Sequence, residues 1–240
     1  MNRRHGFTLV ELLTVIVIIA ILAGLTMGAI SYAVTAVNQA AIRQEIGQLE
    51  LALDAYKAEM GEYPPDNAND AAKHIKRCYR NSINTTISIK YENGATFNSV
   101  TPQTALVVFL GVHNADPTKP FEVNLSQAQQ NAINAVSKPF FEFDRSRLNS
   151  SGYCPRSCSV PYYYFKANIV NGVGSYQGKA GPVYKDSDGH WYNPQKYQIT
   201  SAGLDNECNV GEITINTNLA GKDRDNISTI TTKTLKDLID

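Results

Sequence analysis

The sequence predicts an α+β fold in which one long N-terminal helix packs against a small antiparallel β-sheet domain. Residues 7–60 combine an uninterrupted apolar run with a helical stripe of apolar side chains. After residue 63 the chain changes to short alternating or aromatic runs separated by polar turns, which is typical of strands. About 180 residues follow the first helix, enough for one domain with its own core.

The first part of the predicted helix is long and apolar enough to cross a bilayer. Leu12 to Ile30 is a stretch of about 19 residues without a charge, the length of a membrane span. Arg3 and Arg4 precede it, so the positive-inside rule predicts a cytoplasmic N-terminus and places the rest of the chain on the outer side. Glu11 lies near the start of the run, and a carboxylate at membrane depth is costly unless it is paired. We therefore take Glu11 as a candidate functional residue.

The position of the small residues distinguishes this segment from an ordinary secretory signal, whose cleavage site follows its apolar region. Here the obvious small residue at the charged end is Gly6, which precedes the apolar run. Ile21-Leu22-Ala23 is a weaker alternative site. Cleavage after Gly6 would keep the apolar helix in the mature protein, with Phe7 as its first residue and Glu11 as its fifth.

The string Gly6-Phe7-Thr8-Leu9-Val10-Glu11-Leu12 closely resembles the prepilin signal of type IV pilins and type II secretion pseudopilins. The resemblance implies a pilin-like fold, cleavage after Gly6 by the prepilin peptidase and methylation of the Phe7 amine by the same enzyme. It also implies that Glu11 acts in filament assembly. The segment Leu53–Pro64 independently resembles the passage by which major pseudopilins leave their long helix.

The family resemblance implies a structural subunit of a type II secretion pseudopilus, closest to the major pseudopilin, that polymerises through its N-terminal helix to drive protein export. The implied partners are the prepilin peptidase and methylase, other copies of the chain, minor pseudopilins, the membrane and the inner-membrane platform of the secretion system. The implied location is the bacterial inner membrane, crossed once, with the globular domain in the periplasm. A minor pseudopilin, a type IV pilin for adhesion, motility or DNA uptake, and a membrane-anchored binding domain that does not polymerise remain as alternatives.

A physical role for Glu11 follows from charge. A free α-amine is cationic at neutral pH, and Glu11 lies one helical turn from Phe7. A second copy displaced along the helix axis by about a turn would bring the amine of one chain to the carboxylate of the next. Such pairing inside a bundle fixes axial register, as buried polar residues do in coiled coils.

We divide the chain into four segments: a leader peptide at 1–6, a membrane and filament-core helix at 7–30, an amphipathic continuation at 31–62 and a globular head at 63–240. The continuation carries an apolar stripe predicted to pack on the head: Ile42, Ile46, Leu49, Leu53, Tyr56 and Met60. Gly61 is the expected C-cap, and Tyr63-Pro64-Pro65 prevents further helix.

Within the head the predicted elements are short. Helices are expected at 71–79, 101–110 and 126–136, and strands at 86–91, 140–143, 161–167 and 197–200. The aromatic run Tyr162 to Phe165 is interpreted as core packing in preference to a binding surface.

The C-terminal acidic segment resembles the calcium loop of major pseudopilins. The resemblance implies carboxylate ligands from Asp205, Asp223 and Asp225, with a backbone oxygen near Leu204, and calcium takes such hard oxygen ligands. The turn reads Asp205-Asn206 where the family has Asp-Gly, and the intervening segment is long, so an incomplete ligand set or a plain polar turn is the alternative. Asp186-Ser187-Asp188-Gly189 is interpreted as a hairpin turn.

Four cysteines lie in the part predicted to be on the outer side of the membrane, and in an oxidising compartment an even number suggests disulfides. Three pairings are possible, and Cys154 with Cys158 plus Cys78 with Cys208 is the pairing we consider first. A four-cysteine zinc site is the alternative, although only one closely spaced pair is present.

Charge and motifs argue against other classes. The chain has 22 basic and 22 acidic side chains, so it lacks the basic excess expected for nucleic-acid binding. It contains no P-loop and no Gly-x-Ser-x-Gly elbow, and its histidines show no metal-binding spacing. We therefore predict that it is not an enzyme.

Overall fold

The computed structural model describes residues 8–83, 85–111, 113–114, 116–125, 139–216, 219–231 and 234–239. The helix predicted at 126–136 lies outside these residues, as do Gly6 and Phe7. The chain divides into two compact units, Met1–Asn38 and Gln39–Asp240.

The long N-terminal helix is confirmed. Helix α1 runs over Leu9–Met60, a length of 52 residues. It ends at Gly61, whose φ of +84° is readily available only to glycine and whose amide donates to the Lys57 carbonyl at 2.8 Å. Because α1 continues past Asn38, its C-terminal part belongs to the second unit.

The described residues of the second unit hold two more α-helices, α2 at Ala68–Cys78 and α3 at Ala105–Leu110. Its strands are β1 Ser88–Tyr91, β2 Thr96–Phe97, β3 Glu122–Leu125, β4 Leu148–Asn149, β5 Gly152–Tyr153 and β6 Tyr163–Lys166. They continue with β7 Asn168–Val170, β8 Val173–Ser175, β9 Val183–Lys185, β10 Tyr197–Ser201, β11 Glu212–Thr214 and β12 Ile227–Ser228. Short 3-10 turns occur at Arg145–Arg147, Gly221–Asp223 and Leu235–Leu238.

The strands form several small sheets instead of one. Among the described residues the orders are β2-β1-β3, β12-β10-β6, β11-β9, β4-β5 and β7-β8. Most pairings are antiparallel, as predicted, but β1 with β3 and β9 with β11 are parallel. Parallel strands need long crossover connections, and both pairs are separated by extended stretches of chain that supply them.

The core of the second unit is built on the predicted stripe of α1. Five of its six members are buried, namely Ile42, Ile46, Leu49, Leu53 and Tyr56, and Met60 packs at the edge. Helix α3 is buried on all sides, as expected for a helix without a polar face. Tyr162, Tyr164 and Phe165 are also buried, which agrees with their interpretation as core residues.

Two predicted elements differ in the structure. Residues 140–143 are not a strand: Phe141 and Phe143 form ring contacts with Tyr153 instead, with the Phe143 and Tyr153 ring centroids 4.9 Å apart. The helix predicted at 101–110 begins only at Ala105, because Thr101 and Thr104 form a side-chain turn in which the Thr101 amide donates to Thr104 Oγ1 at 2.9 Å.

Candidate functional site

The start of α1 is closed by a reciprocal capping box between Thr8 and Glu11. The Thr8 amide and hydroxyl each donate to Glu11 Oε2 at 2.8 Å, and the Glu11 amide donates to Thr8 Oγ1 at 3.3 Å. This arrangement satisfies two helix donors that have no partner within the helix. Both Thr8 donors go to Oε2, so the second oxygen of Glu11 accepts no hydrogen bond from the described part of the chain.

The apolar run of α1 is exposed along its length. Leu12, Ile16 and Leu22 each keep more than half of their surface accessible, and the most apolar window of the helix has no buried residue. This is the helix among the described residues that is long and apolar enough to span a membrane. Exposure of so much apolar surface to water is unfavourable, so this run requires lipid or other apolar helices around it.

Asp225 holds the predicted calcium turn closed. Its Oδ2 accepts hydrogen bonds from the Leu204 amide at 2.7 Å and the Asp205 amide at 3.2 Å. The turn depends on Gly203, where φ is +69° and a Cβ would lie 2.3 Å from Asp225 Oδ2. Burial raises the pKa of Asp225 above its usual value. Its second oxygen, Oδ1, is buried and has no hydrogen-bond partner among the described residues.

The other two predicted calcium ligands are engaged elsewhere. Asp223 is fully buried and accepts hydrogen bonds from the Asn209 amide at 2.7 Å and from Asn226 Nδ2 at 3.2 Å. Asp205 is exposed and caps its own turn through the Glu207 amide. The three carboxylates do not bring three ligand atoms within 4.8 Å of one another. Of the predicted ligands, Asp225 therefore offers one oxygen without a hydrogen-bond partner among the described residues, whereas the full set does not form in this arrangement, and calcium binding stays a prediction.

The four cysteines are free thiols in the structure, so neither expected disulfide is formed in it. Cys154 contacts Asn149 and Ser159, while the Cys158 thiol donates to the Gly203 carbonyl at 2.6 Å. Burial raises the pKa of Cys158 to about 11. Cys78 contacts Met60, Glu62 and His74, and none of these contacts is with a second cysteine. The described residues also show no four-cysteine cluster.

Two groups of residues are important in the structure and absent from the sequence predictions. Glu45 of α1 faces the head and accepts hydrogen bonds from Tyr153 at 2.9 Å and Tyr162 at 2.8 Å. Its spacing of three residues after Ile42 could have shown this. The second group lies where α1 leads into α2 and is formed by Glu62, His74 and Cys78.

The segment that follows α1 is fixed firmly in the head. Tyr164 donates its hydroxyl to the Pro64 carbonyl at 2.8 Å. Asp66, which is 3% exposed, pairs with Lys179 at 2.7 Å and accepts from the Lys166 amide at 3.1 Å. Although burial opposes ionisation of Glu62, hydrogen bonds from Arg77 and His74 lower its pKa to about 2. These hydrogen bonds and ion pairs hold the segment between α1 and α2, which we call the joint, against the rest of the head.

Together these features define an α+β, pilin-like architecture with a long N-terminal helix, whose apolar N-terminal run is exposed, and a head of small sheets. Residues 1–27 match the family described as the prokaryotic N-terminal methylation motif. Comparisons with curated proteins and with solved structures find no match. The matched segment contains Gly6, Phe7 and Glu11, and the motif indicates a type IV pilin-like protein that is processed by a prepilin peptidase and anchored in a membrane through α1.

Proposed function

We propose that this chain is a structural subunit of a type II secretion pseudopilus. The observation that carries the proposal is the methylation motif placed directly at the start of an exposed apolar helix. A subunit of this kind needs a segment that is stable first in a bilayer and then among the helices of other copies, and the N-terminal part of α1 has the composition for both. The passage from Tyr56 to Pro64, which resembles that of major pseudopilins, favours secretion over a pilus.

Assembly would proceed through α1. After cleavage behind Gly6, the Phe7 amine of one copy would meet the Glu11 carboxylate of another, and the pairing would neutralise both charges away from water. The capping box leaves Glu11 Oε1 able to accept this amine while Oε2 continues to close the helix. One residue would then serve both the local helix start and the contact between copies.

The topology follows from the same segment. Arg3 and Arg4 would stay on the cytoplasmic side of the inner membrane, α1 would cross it once, and the second unit would lie in the periplasm. Growth of the filament, powered by an ATPase outside this chain, would push exported proteins outward. The partners would be the peptidase, other copies, minor pseudopilins and the membrane platform of the secretion system.

A type IV pilin is the second candidate, and it rests on the same motif. A membrane-anchored binding domain that does not polymerise is the third. The first two require a processed N-terminus, whereas the third does not.

Mass spectrometry of the protein purified from membranes separates these classes. We expect a mature chain that begins with N-methylated Phe7 and lacks the first six residues. Substitution Gly6→Val should leave the leader attached, and Gly24→Val, at an open helical position, should not affect cleavage. A chain that begins at Met1, or that has lost the apolar run, would refute the pilin-like function.

A secretion assay then separates the first two candidates. Deletion of the gene should remove a set of proteins from the culture medium if the subunit acts in secretion, and the wild-type gene should restore them. Loss of surface filaments, adhesion, motility or DNA uptake with an unchanged set of secreted proteins would favour the pilin.

A further inference from the structure

The joint between α1 and α2 brings together a carboxylate, an imidazole and a thiol. Glu62 lies just after the end of α1, and His74 and Cys78 are four residues apart on α2, so that both side chains lie on one face of that helix. His74 Nδ1 is 2.8 Å from Glu62 Oε1 and 3.6 Å from Cys78 Sγ, and Cys78 Sγ is 3.8 Å from Glu62 Oε1. Three atoms of the kinds that bind transition metals thus form a small triangle.

The distances between these three atoms are close to those between the ligands of a tetrahedrally coordinated zinc ion. Usual zinc bond lengths to sulfur, nitrogen and oxygen place pairs of ligand atoms about 3.4–3.6 Å apart. The two distances to Cys78 Sγ agree with these values to within about 0.3 Å. Only the His74 to Glu62 distance must widen, by about 0.6 Å, and that is the change expected when a metal replaces a direct hydrogen bond.

We propose that Glu62, His74 and Cys78 form a binding site for Zn²⁺. A mixed set of carboxylate, imidazole and thiolate ligands suits zinc better than the hard cations calcium and magnesium, which prefer oxygen alone. Three protein ligands leave a fourth position open. A cavity of about 490 Å³ borders two of the three ligands, Glu62 and His74, and is also lined by Arg77 and Lys166.

Tyr56 already orients the imidazole ring of His74. Tyr56 Oη lies 2.6 Å from His74 Nε2, and both residues are buried. With zinc on Nδ1, the proton of the ring would sit on Nε2 and be donated to the Tyr56 oxygen. Metal-bound histidines usually donate their other ring N–H to such a partner, which fixes the ring and the tautomer.

Arg77 is the competitor that the metal must displace. It donates through Nε to Glu62 Oε1 at 2.9 Å, and through a second nitrogen to the same oxygen. Its side chain is 62% exposed, so it can turn into solvent. Lys166 binds the other oxygen, Oε2, at 3.2 Å and can stay there. On binding, the Cys78 thiol would lose its proton to the buffer as the sulfur–zinc bond forms, and His74 would bind as the neutral imidazole.

The test is a zinc titration of the full chain, purified in detergent, reduced and stripped of metal with a chelator. Calorimetry should show one zinc per chain, and the temperature of unfolding should rise with zinc. Cobalt in place of zinc should give the absorption of a thiolate-to-metal charge transfer.

Three variants locate the site. Cys78→Ala should lose the cobalt signal and weaken zinc binding by at least about tenfold, since even outer-shell changes at metal sites cost roughly 10–100-fold. Cys208→Ala, at another half-buried thiol, and Asp188→Asn, in the exposed turn that also clusters carboxylates with His190, should bind zinc like the unchanged chain. Arg77→Gln should bind zinc about tenfold more tightly, because the charged donors on Glu62 are removed.

The outcomes separate this site from a salt-bridge network that holds the joint without metal. Absence of saturable zinc binding would overturn the proposal, as would binding that survives Cys78→Ala or is abolished by Asp188→Asn. Circular dichroism of each variant without metal tests that it folds. If Cys78→Ala fails to fold, Cys78→Ser and the gain expected for Arg77→Gln decide the question.

Discussion

Tyr162 donates its hydroxyl to the Glu45 carboxylate at 2.8 Å, although 117 residues separate the two in the chain. Tyr153 donates to the same carboxylate, and Arg147 pairs with it as a charged partner. The Glu45 and Arg147 side chains are only 14% and 15% exposed. One acidic side chain of α1 therefore accepts hydrogen bonds from three residues of the head, and these bonds fix the position of the C-terminal part of the helix in the second unit.

Replacement of Glu45 should destabilise the head strongly. In Glu45→Ala the Arg147 charge and two tyrosine hydroxyls lose their acceptor, and we expect the free energy of unfolding to fall by roughly 3 kcal/mol. Denaturant unfolding of the full chain in detergent, followed by fluorescence, measures the change. Glu59→Ala, at an exposed position of the same helix, should change stability by less than about 0.5 kcal/mol. Equal effects of both substitutions would contradict this role of Glu45.

The roles of Glu11 as helix cap and as assembly residue can be measured separately. Glu11→Gln keeps a side chain that serves in a capping box but removes its charge. We expect it to insert into the membrane and to reduce filament yield by at least about tenfold, since the amine of the neighbouring copy loses its counterion. Glu11→Ala and Glu11→Val should behave in the same way.

Thr8→Ala is the matched variant, because it removes the cap partner and leaves the carboxylate. It should weaken the helix start by roughly 0.5–2 kcal/mol and leave filament yield near normal. Quantitative immunoblotting of sheared filaments and of membranes measures both quantities. Normal filament yield in Glu11→Gln would exclude a charge-based role in assembly.

Gly203 should tolerate no side chain. In Gly203→Ala the new Cβ would lie 2.3 Å from Asp225 Oδ2 and 2.5 Å from its Cγ, so the turn and Asp225 must separate. Gly178 also has a positive φ, of +75°, but has no atom within 4 Å of the added Cβ. The two alanine variants therefore share the backbone strain and differ in the clash. We expect Gly203→Ala to cost roughly 1–3 kcal/mol more in unfolding free energy. Equal midpoints in thermal unfolding would show that the turn can relax.

Calcium binding by the C-terminal acidic loop is tested with the same full chain. If Asp225 Oδ1 takes a cation, calcium at a hundred times its dissociation constant should stabilise the fold by about 2.7 kcal/mol. Asp225→Asn should lose most of this gain, and Asp116→Asn, in an exposed turn, should keep it. An unfolding temperature that does not change at millimolar calcium would refute calcium binding.

The elements predicted correctly are those whose pattern is local and long. The stripe of α1 repeats over several turns, and Gly61 and Pro64 mark its end without reference to the rest of the chain. The Thr8 to Glu11 capping box also follows a local spacing, and it could have been predicted from that spacing.

Other features are decided by contacts between distant segments. Alternation of aromatic residues at 140–143 is compatible with a strand or with a packed loop, and the ring of Tyr153 decides in favour of the loop. Asp223 and Asp225 belong to one short acidic segment, yet Asn209 binds one and the Leu204 amide contacts the other. Which donor reaches which carboxylate depends on the fold of the intervening chain, and no periodic pattern encodes it.

Helix α1 contributes Ile42, Leu49 and Tyr56 to the centre of the head, and it does so as part of the same continuous element that carries the apolar run. A tensile force on that element would be resisted by core side chains loaded together and not by a flexible tether. To pull α1 out of the head, these side chains would have to leave the core, so the resistance to force is governed by the rate at which the head unfolds.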